Sequence, residues 1–170
     1  MDSAGESHRL TLGKGLIILV FVILGVAAYI AAGSALGIEP LYAGFAFSLY
    51  FGGIKHSDPQ EFPAALVGAL GGLLAAALLH ILPEHFGTVG MAAALLVILV
   101  AILALLMGWV PILVNYSFML MLTIATIPAV KEEANFIGMA GSILLAAALM
   151  GALLLPGVLA ARKSRTTASA

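Results

Sequence analysis

FGTVGMAAALLVILVAILALLMGWVPILVNYSFMLMLTIATIPAV, residues 86–130, runs 45 residues without an Asp, Glu, Lys, Arg or His. An apolar helix needs about 20 residues to cross a hydrocarbon core of roughly 30 Å. The run is therefore too long for one crossing, and Gly108-Trp109-Val110-Pro111 interrupts it. It reads as two spans, 89–107 and 110–130, and makes the chain an all-α integral membrane protein.

Outward from this stretch, charged side chains fall only at 2–14, at Glu39, at 55–61, at Glu84, at 131–133 and at 162–165. The uncharged blocks between them give further spans at 15–33, 62–82 and 135–161. The block 41–54 reaches span length only as 38–54, with Glu39 at the headgroups. The positive-inside rule decides whether it crosses. If it does, Arg9, Lys14, Lys55, Arg162, Lys163 and Arg165 share one side against Lys131 alone; if it is re-entrant, the division is three against four. The first division predicts six transmembrane helices with both termini cytoplasmic. A cytoplasmic tail at 1–14, a membrane domain at 15–161 and a second tail at 162–170 follow. A cleaved signal peptide is the competing reading of the N-terminus, but its apolar stretch is longer than a usual signal core.

Composition agrees, with 63% apolar and 9% charged residues against about 25% charged in soluble domains. Eight acids and seven bases nearly cancel, so no basic surface for nucleic acid exists. The absence of cysteine removes disulfides, thiolate metal sites and cysteine nucleophiles.

The chain also resembles itself. From Glu39 and again from Val110 it has a Pro-led helix, a charged turn ending in Phe62 or Phe136, a Gly-rich helix, and an Ala/Leu run closed by Pro83 or Pro156. Three spans per half would set the second half upside down relative to the first, the inverted repeat of many transporters. Ala/Leu/Gly sequence also aligns with itself by chance, so the matched prolines and turns carry this expectation.

LYAGFAFSLYFGGIKHSDPQEFPAALVGALGG (41–72) and GWVPILVNYSFMLMLTIAT (108–126) resemble a family of small bacterial inner-membrane proteins described as a domain of unknown function. The resemblance implies a six-helix protein of the bacterial inner (cytoplasmic) membrane, over about 15–160. It implies no activity.

Polar side chains inside spans point to function, because hydrocarbon penalises them unless they are satisfied or line water. Counting about 100° per residue, Asn115, Tyr116, Met119, Thr123 and Thr126 fall on one face of a fifth helix, and Ser117 points about 200° away. Gly44, Ser48 and Phe51 cluster on the second helix, with Phe45 at their edge. Facing each other, the two sets would line a neutral path for a small solute. Alternatively, these groups bond to backbone and hold the bundle together. With no Asp, Glu, Lys or Arg well inside a span, proton-coupled and charged-substrate transport are disfavoured.

Two acid and histidine clusters, His56/Asp58/Glu61 and His80/Glu84/His85, have metal-ligand chemistry. The topology sets them on opposite membrane faces, and Pro83 is expected to break the register joining His80 to Glu84. Solvated loops, with His80, Glu84 and His85 as a pH-sensing rim, fit better than a metal site, and no cofactor is implied. Ala64, Gly68, Gly72 and Ala76 recur every fourth residue and mark a close-packing face, within one chain or in a homo-oligomer. Two functions remain. One is a channel or facilitator for a small neutral solute between helices two and five; the other is a structural or accessory subunit of a membrane complex. Nothing supports an enzyme: no nucleophile–base pair, HExxH or phosphate loop occurs.

Overall fold

The computed structural model of the chain describes residues 12–127 and 135–168, and every regular element among them is helical. Residues 1–11 of the expected 1–14 tail and the 131–134 turn lie outside these residues, and 12–14 belong to the first helix. The helices are α1 (Leu12–Ala35), α2 (Leu41–Ser48), α3 (Phe62–Met107), α4 (Tyr116–Ala125) and α5 (Phe136–Ala168). Three helical stretches, Gly15–Ala35, Phe62–Met107 and Phe136–Pro156, are long and apolar enough to cross a membrane.

α1 ends on a Schellman motif: Gly37 takes φ 67°, Ile38 N–H donates to Gly33 O at 2.9 Å, and Gly37 N–H donates to Ser34 O at 3.2 Å. Beyond Ser48, α2 widens into a π-helical segment, Leu49–Ile54, which carries the chain into the Lys55–Glu61 turn. The aromatic rings of this region gather below the turn. Phe47 stacks on Phe51 at 6.2 Å, and Phe62 meets Phe51 edge-on at 5.2 Å.

α3 is two helical arms joined across a kink at Gly87. A straight 46-residue helix would measure about 69 Å. Asn115 is only eight residue steps beyond Met107, a reach of at most about 28 Å, yet its Nδ2 lies 2.8 Å from Ala64 O near the start of α3. The second arm, 88–107, therefore returns alongside the first, 62–86. Gly87 makes the reversal with φ 56° and ψ −133°, a backbone conformation that favours glycine. Just after it, a Cβ on Gly90 would collide with the Leu82 carbonyl, so the arms separate with no room for a side chain there. Pro83 does not end the first arm, contrary to the sequence reading. The helix passes through it to Gly87, and His80 Nε2 sits 3.5 Å from Glu84 Oε1 one turn on.

Gly108 closes the second arm with φ 63°, and Trp109 N–H donates to Ala104 O at 3.1 Å. The fifth helix, expected from residue 110, begins only at Tyr116. α5 continues to Ala168, beyond the boundary at 161 expected from the charges that begin at Arg162. The most extensive packing joins α3 to α4 and α2 to α5. The core between them is built from Phe47, Phe51, Phe118, Met121, Met139 and Ile143.

Lys55 Nζ bonds Glu61 Oε2 at 3.0 Å across the turn, and the bond to Glu61 raises the lysine's pKa. A raised lysine pKa contributes stability that is complete below the ordinary lysine value and disappears as pH rises through the folded one. Both side chains are partly exposed, so Glu61→Gln should cost at most about 1 kcal/mol near neutral pH, read as a small change in unfolding midpoint.

Candidate functional site

Asn115 stands outside the helix it was expected to join. Its backbone is extended (φ −143°, ψ −175°), and its Oδ1 accepts from Ser117 N–H at 2.9 Å and Phe118 N–H at 3.2 Å, the arrangement of an N-cap. Its amide nitrogen donates to Ala64 O at 2.8 Å and Pro111 O at 3.0 Å, so one side chain starts α4, closes the preceding turn and fastens both to α3. A non-helical Asn115 invalidates the helical-face count that began from it. Ser117, expected to point away, is fully buried and donates to Ala65 O at 2.8 Å.

The small residues of α3 receive α4. A Cβ on Gly68 would strike the Asn115 amide, and one on Gly72 would strike the Phe118 carbonyl. Ala76 is buried in the same core, while Ala64 contributes its carbonyl to Asn115.

A second polar knot joins α1, α2 and α5. The Tyr29 hydroxyl lies 2.7 Å from both Leu41 O and Ser142 Oγ, and Ser142 Oγ accepts from Gly44 N–H at 2.8 Å. One consistent assignment has Tyr29 donating to Leu41 O and Ser142 donating to Tyr29. A Cβ on Gly44 would collide with the Ser142 carbonyl and the Tyr29 hydroxyl. No buried side-chain nitrogen or oxygen among the described residues lacks a hydrogen-bond partner.

The two faces expected to line one path thus pack on different helices: Gly44 lies on α5, and Asn115 lies on α3. Phe51 is in the aromatic core, Ser48 is half-buried, and Phe45 and Tyr116 are exposed. Thr123 and Thr126 donate to carbonyls of their own helix, Met119 O at 2.8 Å and Leu122 O at 2.9 Å, and Met119 itself packs at the edge of the core. Thr126 does meet the expected rim. With Ala76, Leu79, His80 and Ala125 it lines a shallow cavity of about 70 Å³, and His80 stacks at a tilt on Phe136, 5.8 Å between ring centres. His85 Nδ1 lies 3.0 Å from Ile81 O, and His85 is not among the residues that line that cavity. Among the described residues, no three His, Asp or Glu side chains converge as a metal set would.

Tyr29 and Ser142 were not singled out by sequence reading, and Ser117 entered it only as the residue pointing away from the polar face. Ser142 was findable, because it stands six residues after Phe136 as Gly68 stands six after Phe62. Tyr29 gave no signal beyond a lone hydroxyl in an apolar helix. Comparisons with protein-family models, with curated proteins and with solved structures find no match to this chain.

Proposed function

We propose that the chain is a six-span integral membrane protein built from two inverted three-span halves, acting as a structural or accessory subunit of a membrane complex. It would sit in the bacterial inner membrane with both termini cytoplasmic and lipid as its surroundings. The architecture is supported by an exchange of partners. Gly44 lies four residues after Pro40, as Asn115 lies four after Pro111; Gly68 lies six after Phe62, as Ser142 lies six after Phe136. Gly44 packs on Ser142, and Asn115 packs on Gly68. Each half therefore lends its Pro-led helix to the Gly-rich helix of the other, which is what a two-fold axis in the membrane plane would produce.

The functional reading rests on one observation. The buried polar side chains Tyr29, Ser117 and Ser142, together with Asn115, are committed to backbone groups of other helices. In lipid, where tails are as apolar as leucine, such bonds and small-residue packing hold helices together. Solute flux in liposomes holding only the purified protein should match protein-free liposomes. The runner-up, a facilitator for a small neutral solute, is favoured by the cavity where Thr126 and His80 meet, and flux above background that Thr126→Leu abolishes would establish it. Reporter fusions test the topology: 55–61 should report cytoplasm and 131–134 the outside. A periplasmic signal from 55–61 would remove the second span and the inverted halves with it.

A further inference from the structure

α1 touches the rest of the protein in a way its counterpart does not. In the two-half reading its equivalent is the arm 88–107, which has buried residues along its length at Gly90, Ala94, Ala101 and Ala104. In α1 the buried positions are Tyr29 and Gly33, both in its last two turns. Residues 16–25 are all exposed, and a Cβ on Gly15 or Gly25 would meet nothing within 4 Å. Gly33 lies against the side chain of Leu41, the first residue of α2, so this contact too sits at the C-terminal end of α1.

Beside that contact, what fixes the angle of α1 is Tyr29, whose ring is buried in the core and whose hydroxyl is inserted between Leu41 O and Ser142 Oγ. In water, 24 residues as apolar as α1 would be driven onto the bundle whatever Tyr29 did. In lipid that drive is absent, because acyl chains solvate residues 16–25 as well as protein does. Orientation then rests on packing and hydrogen bonds, and these are concentrated at one end. Gly37, at φ 67° in the Schellman turn, has no neighbour that a Cβ would meet within 4 Å, so the α1–α2 link has open space around it.

We propose that α1 is a hinged arm, pivoting at Gly37 and latched to α2 and α5 by the Tyr29 hydroxyl, so that releasing one buried polar contact swings the helix away and uncovers the Gly44–Ser142 seam. The inference depends neither on the number of spans nor on whether solute crosses. Opening exposes Ser142 Oγ and the Leu41 carbonyl, the groups that Tyr29 covers.

The lack of native cysteine makes the test direct. Nitroxide labels are placed on the full chain in phospholipid nanodiscs through Val20→Cys with Leu144→Cys, reporting α1 against α5. Leu74→Cys with Leu144→Cys reports α3 against α5; all three positions are exposed. Tyr29→Phe keeps the ring and removes only the latch. It should at least double the width of the 20–144 distance distribution and leave the 74–144 distribution unchanged. Ser142→Ala, which removes the α5 side of the latch and leaves Tyr29 bonded to Leu41 O, is read in the same way. Selective broadening in either variant supports the hinged arm. The proposal is overturned if the 20–144 width is unchanged in both, if the 74–144 pair broadens equally, or if neither variant folds, since a latch on one arm is not what holds the bundle.

Discussion

Gly72→Leu should destabilise the protein by about 1–3 kcal/mol, the cost of overfilling a packed interior, with a lowered midpoint of thermal unfolding in detergent. The obstruction is the Phe118 carbonyl, a backbone atom of α4, so no rotamer of the new side chain escapes it. α4 must move as a body, and moving it also strains the Asn115 and Ser117 bonds one and two turns away. Gly25→Leu is the matched control. A Cβ there meets nothing within 4 Å, and its effect should stay within about 0.5 kcal/mol. Equal midpoints for the two variants would show that α3 and α4 do not pack through Gly72.

Asn115→Leu should cost a similar amount, about 1–3 kcal/mol, because it removes an N-cap and an interhelical tie together. Ser117 and Phe118 N–H would lose their acceptor, and the Ala64 carbonyl its donor. Asn115→Ser separates the two contributions. Serine is a good N-cap but too short to reach Ala64, so it should recover roughly half of the loss. Full recovery by serine would mean that the bond to Ala64 contributes nothing; no recovery would mean that the cap does not.

The long apolar helices were legible because lipid imposes a length, and length is written directly in the spacing of charges. The break at Gly108–Pro111 was legible for a related reason: glycine and proline act through local backbone chemistry, and Gly108 is found at φ 63°. The reversal at Gly87 was less so. Pro83 is the louder signal, yet proline costs a helix only one hydrogen bond and a local bend, while a glycine with positive φ turns the chain. Asn115 misled for a different reason. A helical-face count presumes that every residue counted is helical, and an N-cap is by definition outside. The better signal was an Asn immediately before an apolar run. Gly44 and Ser142 had positional signals of their own, but their meeting with Tyr29 in one knot could not be read, since it depends on which helices become neighbours, and Tyr29 and Ser142 are 113 residues apart in sequence.

The exchange of partners between α2–α5 and α3–α4 has a consequence for the order of assembly. Asn115 meets Ala64 across 51 residues, whereas Gly44 meets Ser142 across 98. A chain made from its N-terminus can close the α3–α4 pair as soon as α4 has emerged, but α2 must wait until α5 is made. Through that interval the Gly44 N–H and the Tyr29 hydroxyl have no Ser142 to bind, and their surface is a template for the wrong helix. The last third of the sequence thus completes a structure begun in the first, and a ribosome stalled before residue 142 would leave behind two elements that nothing already synthesised can replace.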